Sequence, residues 1–284
     1  MSLVALLAPI WAQAEIVVVG SDLLAPAIDP VLEAYAEHNE VVVKTEFIGS
    51  IPGVGELKSG AADLAILAAP EDTNLPVGDY KVIPIAYEVA YVVVDKLNPL
   101  TEISIDQLAA IFGTGSKSDY SRWGELGLQG PVATRSIQAM ALDNEKTVVL
   151  ELFKYRALDS GSLKPTVNRV NDNLQLTELV SSDSGSIGLT NKLILDDKLR
   201  ALSVSGGKDH QYAFGPTPEN VHYGDYPLRL GYYLVFPQSR EQELLPLLRV
   251  LLGPDQAESL EKSGFVPVPE NVRKRTLVEL DKGV

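Results

Sequence analysis

Apolar positions along the chain alternate between short unbroken runs and stripes spaced three or four residues apart. This is the pattern of buried strands followed by amphipathic helices. Residues 16–19 form a four-residue buried strand that enters Gly20-Ser21-Asp22, and the helix after it carries Ile28, Val31, Leu32 and Tyr35 on one face. Residues 41–70, VVVKTEFIGSIPGVGELKSGAADLAILAAP, repeat the device. Val41, Val42, Val43 and Phe47 favour a strand, Ser50 sits where a helix N-cap belongs, Pro52 is tolerated in the first turn, and Gly60 stops the helix before an apolar strand at 64–67. Residues 82–94 read as a long apolar strand pair interrupted near Tyr87. Residues 104–112 read as a helix with a Ser104/Gln107 capping box and a stripe of Leu108, Ile111 and Phe112. Further helices are expected at 144–156, 171–180, 241–252, 255–262 and 272–280, and strands at 186–189, 199–204 and 227–236. The Gly-, Pro-, His- and Asn-rich stretch 206–224 reads as a loop.

Mostly parallel strand–helix–strand units, with two long apolar strands far apart in sequence, predict an α/β fold of two lobes joined by crossing strands. The expected division is 15–88 with 226–284 for the first lobe and 89–225 for the second. Ligands in such folds sit at the strand ends between the lobes.

The 284 residues hold 38 acidic against 24 basic side chains, a formal net charge of -14. That balance argues against nucleic acid or an anionic membrane surface as partner, so a bound anion must be held by local dipoles and local charge. The absence of cysteine removes disulfides, thiolate metal sites, a cysteine nucleophile and an acylated lipoprotein terminus. Residues 1–14, MSLVALLAPIWAQA, end in the small-x-small pattern of a signal-peptidase site but lack a basic start. They read as the remnant of an export signal, which places the protein in the periplasm or outside the cell, and they are set apart from the fold.

Catalytic chemistry finds little support. His38, His210 and His222 lack metal-ligand spacing and read as surface residues, so no metal is expected. Gly185-Ser186-Ile187-Gly188 is not a nucleophile elbow, and Gly206-Gly207-Lys208 is not a phosphate-binding P-loop. No cofactor is implied. Tyr87, Tyr91, Tyr226, Tyr232 and Tyr233 lie on or beside the crossing strands, where core packing with the hydroxyl at an edge is the ordinary outcome.

Several segments, in order, carry a family pattern. Gly20-Ser21 to Pro26 and Gly49-Ser50 to Gly53 are two Gly-Ser loops, and the second is followed by the turn from Gly60 to Asp63. Residues 101–127, TEISIDQLAAIFGTGSKSDYSRWGELG, form the most specific block; residues 184–189, Tyr226-Pro227-Leu228 and Gly264 to Pro267 complete the set. The chain thereby resembles the phosphate-binding proteins of ABC phosphate transporters, a branch of the type II periplasmic solute-binding fold. The resemblance implies a venus-flytrap receptor whose two lobes close on a small inorganic or organic anion and deliver it to an ABC permease, as a monomer and without chemistry. Carried over, Ser50 becomes a donor at a helix N-terminus, and Arg135 the arginine that opens the second-lobe loop. Ser21, with the backbone N–H groups of Leu23 and Leu24, fills the first loop beside Gly49.

The departures from that pattern lie in the ligand residues. The family's first-loop threonine falls on Leu23 and its proton-accepting aspartate on Ala68. No Ser-Gly-Thr follows Arg135, and Pro52 removes one N–H. Each hydrogen bond to a charged group contributes about 1.5–3 kcal/mol, so several losses would weaken phosphate binding strongly unless replaced. Two readings follow. In one, Arg135 supplies charge while Ser21, Ser50, Ser136 or Gln138 donate to another anion, and Arg135→Ala abolishes stabilisation by that anion. In the other, the cleft has lost its small molecule and the fold is an exported scaffold or protein-interaction module. The plain alternatives for Ser50 and Arg135 themselves are a helix cap and a surface ion pair.

Overall fold

The computed structural model describes residues 15–70, 75–193, 198–207 and 210–282; the expected signal remnant at 1–14 lies outside them. The chain opens with β1 (Glu15–Gly20), α1 (Ala25–Asn39), β2 (Val42–Glu46), α2 (Ser50–Ser59), β3 (Leu64–Ala69) and β4 (Tyr80–Val89). It continues through β5 (Tyr91–Asp95), β6 (Glu102–Ser104), α3 (Ile105–Phe112), β7 (Gln138–Leu142), α4 (Val149–Ala157), β8 (Asn168–Val170), α5 (Asn173–Ser182) and β9 (Ser186–Thr190). Then come β10 (Leu199–Ala201), β11 (Ser203–Gly207), β12 (His210–Phe214) and α6 (Pro218–Tyr223). It returns by β13 (Arg229–Pro237), α7 (Glu241–Leu251), α8 (Pro254–Lys262), β14 (Val266–Pro267) and α9 (Glu270–Lys282).

Two principal sheets result, one in each lobe. The first runs β14-β4-β13-β3-β1-β2 and the second β10-β5-β9-β7-β8, with a small sheet β12-β11-β6 beside the second. In the first sheet β1 pairs parallel with β2 and β3, while β13 runs antiparallel between β3 and β4. The chain changes sheets at Ala90, three residues beyond the interruption expected at Tyr87. There Ala90 N donates to Leu228 O at 2.9 Å, and the buried Tyr226 hydroxyl donates to Ala90 O at 2.9 Å. Both crossing strands are thus tied at one point, and the tyrosine that the sequence places there packs inward with its hydroxyl satisfied.

Local signals set most helix ends. The Ser104/Gln107 capping box forms in both directions, at 3.1 and 2.9 Å, and the Asp172 carboxylate caps α5 by accepting from Leu174 N and Gln175 N. The helix expected from residue 144 begins only at Val149, because Asn144 Oδ1 accepts from Lys146 N in a turn and Thr147 and Val148 bond elsewhere. The loop expected over 206–224 contains β12 and α6, the latter started by Thr217, whose hydroxyl accepts from Asn220 N. The strand expected over 199–204 is two strands, β10 and β11, divided at the buried Leu202.

Candidate functional site

In the first lobe the loops after β1 and β2 meet at the carboxyl ends of β1 and β3. Gly20 has φ +136°, and a Cβ there would lie 2.0 Å from Ile66 O, so only glycine lets the chain turn so close to β3. Ser21 N then donates to Ile66 O at 2.8 Å, and Gly49 N donates to Gly20 O at 2.8 Å, which locks one loop onto the other. Ser50 is not the N-cap expected of it. Gly49 is the cap, with φ +116°, and Ser50 is the first helical residue. The Ser50 hydroxyl accepts from Ala68 N at 2.8 Å, joining α2 to β3 and leaving the hydroxyl proton free to donate.

Ser21, Leu23, Leu24, Gly49 and Ser50 therefore come together. Ser21 is buried at 3% exposure, and the Leu24 side chain lies wholly in the core, so Leu24 offers only backbone. Residues 22–24 form a 3-10 turn that runs straight into α1. The N–H groups that open the 22–24 turn and α2 lie outside the helical ladder, while Ala25 N is taken by Asp22 O and Pro26 and Pro52 carry none, so the corner offers neutral backbone donors beside the Asp22 carboxylate.

Arg135, Ser136 and Gln138 are at the wrong end of the second sheet to join that corner, which corrects their expected role. β5 leaves the crossing with Tyr91 opposite Thr190 and reaches Val94 opposite Ile187, while Gln138 pairs with Ser186. Gln138 and the residues before it thus lie roughly 15 Å beyond the crossing, at about 3.3 Å per strand residue. The Arg135 guanidinium is 45% exposed and pairs with Asp183 while donating to Ser184 Oγ at 2.7 Å, the surface ion pair that was its plain alternative. Around it, Trp123 is fully buried and donates from Nε1 to Gly185 O at 3.0 Å, and the Glu125 carboxylate accepts from Ser121 N and Arg122 N. The Trp123 end of the most family-like block accordingly packs on the turn before β9, at the end of the second sheet away from the crossing.

The loop that does face the first lobe follows β7, and the sequence reading passed over it. Glu88, 1% exposed near the end of β4, accepts from Val148 N at 3.0 Å, from the Thr147 hydroxyl and from the Tyr232 hydroxyl at 3.1 Å. Burial pushes the Glu88 carboxyl above its usual range, and these three bonds oppose that. Tyr232 is raised well above 10 by its own burial and by the charges of Glu88 and, more weakly, Asp22. A signal was present: Glu88 is the lone charge between residues 82 and 94, and a charge inside an apolar strand requires partners.

Beside this group the Arg229 guanidinium lies 5.0 Å from the Tyr87 ring centroid, and the Tyr87 hydroxyl meets His222 Nδ1 at 2.9 Å. His222 is thus half-buried rather than a surface residue, its basicity lowered by burial and then by Arg229 and Arg275. His38 is exposed as expected, and the side chain of His210 lies outside the described residues. Among the described residues no helix is long and apolar enough to cross a membrane, and no group of three His, Asp or Glu side chains is placed to hold a metal ion.

Comparison with known proteins extends this picture. A family model described as "PBP superfamily domain" matches residues 8–252. The phosphate-binding protein PstS of Pseudomonas aeruginosa is 27% identical over 279 residues, covering 92% of this chain and 85% of its own. A crystal structure of a possible phosphate-binding protein from Planctomyces limnophilus superposes with a TM-score of 0.71 at 20% identity, covering 96% of this chain and 99% of that one. An ABC-type phosphate transport receptor from Vibrio cholerae gives 0.64 at 20% identity, with 88% and 99% covered. These superpositions agree with two α/β lobes joined by crossing strands.

Proposed function

The chain belongs to the PBP superfamily, and on that premise we propose that it is an exported solute-binding receptor of an ABC transporter that holds phosphate or a related small anion. The observation that carries this is the bond from Gly49 N to Gly20 O, which brings two Gly-Ser loops and two helix starts to one corner beside the free Ser50 proton. Neutral donors and helix dipoles suit an anion on a protein of net charge -14, where long-range attraction is absent. The names of the relatives point the same way. The receptor acts as a monomer that binds without making bonds and docks on a membrane permease.

A thermal-shift screen with phosphate, sulfate, molybdate and small carboxylates tests the reading. Free ligand at about 100 times its dissociation constant stabilises the fold by about 2.7 kcal/mol. The expected result is a rise for at least one oxyanion that shrinks in Ser50→Ala. A flat response to every anion rejects it. One observation favours the second reading, an exported protein-interaction module without a small ligand: Arg135 is engaged at the far end of the second lobe, while Glu88 holds the donors at the near end. A flat screen is the outcome that reading expects.

A further inference from the structure

Glu88 joins elements of both lobes through one buried carboxylate. One oxygen, Oε1, receives the Thr147 hydroxyl and Val148 N at the start of α4; the other, Oε2, receives the Tyr232 hydroxyl from β13. Thr147 Oγ1 in turn accepts from Val149 N at 3.1 Å, so the hydroxyl is oriented with its proton on the carboxylate. A hydroxyl and an amide at the start of a helix are what such a turn offers to an oxyanion, and here the chain's own carboxylate takes them. All three donors are neutral, so the charge is held by hydrogen bonds alone.

The same group borders the first-lobe corner. Tyr232 pairs in register with Ala68, whose N–H the Ser50 hydroxyl receives, and Asp22 of the first loop acts on the Tyr232 phenol as a second negative charge. Resting on the receptor reading above, we propose that Glu88 is a built-in anion that occupies the second lobe's share of the cleft and pins the turn before α4 to the crossing strand. A free oxyanion held by Ser21 and Ser50 must displace this carboxylate before the second lobe can contribute a bond. Glu88 thereby sets specificity by repulsion.

Glu88→Ala and its isostere Glu88→Gln test this in the full chain, by titration calorimetry with inorganic phosphate and by small-angle scattering without ligand. The expected result is a gain in phosphate affinity of about tenfold or more for Glu88→Ala, a smaller gain for Glu88→Gln, and a larger radius of gyration for unliganded Glu88→Ala. Should Glu88→Ala fail to fold, the gain in Glu88→Gln decides. Phosphate binding by the wild type with unchanged affinity in the variants overturns the built-in anion and leaves the receptor reading standing. A larger radius for Glu88→Ala with no phosphate bound by any of the three proteins overturns Glu88 as the group that holds phosphate out and leaves only the tie between the lobes. No binding together with an unchanged radius overturns the tie as well, and the receptor reading then stands or falls with the wider anion screen above.

Discussion

The two lobes use the same strand–turn–helix device to opposite ends. After β1 and β2 in the first lobe, the backbone turns through two glycines at positive φ, and the Ser21 and Ser50 hydroxyls are set among helix starts with no carboxylate of the described residues bonded to them. After β7 in the second lobe the turn is already satisfied, because β4 delivers Glu88 to the start of α4. A helix N-terminus is receptive only where the neighbouring strand leaves it so. The two charges that stand out in the second half of this comparison differ in the same sense. Glu88 is buried and joins the lobes, whereas Arg135 is exposed and bonds within one.

The largest expected effect breaks the first-lobe side. Gly20→Ala places a Cβ 2.0 Å from Ile66 O at a backbone φ of +136°. It should destabilise by about 3 kcal/mol or more in urea denaturation and abolish any anion response. Next comes the pH dependence of the second-lobe side. The folded Glu88 carboxyl titrates above its ordinary value of 4.5, so the native state binds its proton more tightly than the unfolded chain does. Its contribution is present below the unfolded pKa and is lost as pH rises through the folded one. Glu88→Gln, which keeps an acceptor for Val148 N without a titrating charge, should therefore gain stability relative to wild type as pH rises from 4 towards neutrality. Denaturation at several pH values shows this, and parallel curves for the two proteins would place no cost on the buried charge.

Smaller effects separate the two serine and arginine candidates. Ser50→Ala removes the partner of Ala68 N and should cost about 1 kcal/mol, with a weaker anion shift in the same melting experiment. Arg135→Ala should cost no more than about 0.5–1 kcal/mol, as exposed pairs do, and leave the anion shift intact. Loss of the shift in Arg135→Ala would restore the guanidinium to the site and reverse the comparison.

What could be read from the residues alone was whatever is decided within a few positions. The Ser104/Gln107 box, the stop at Gly60, the apolar strands and the Gly-Ser loops act through neighbours three or four residues away, so their pattern is local. The five first-lobe residues belonged to those loops, and the order of segments carried the two-lobed architecture. The turn before α4 was not legible in this way. An arginine just before β7 looks the same on either end of a sheet, and only the pairing of Gln138 with Ser186 and of Tyr91 with Thr190 shows which end faces the first lobe. Glu88 announced itself as a lone charge in an apolar run, yet its partners lie 59, 60 and 144 positions away. Strand register, a cooperative property of the whole sheet, chose them.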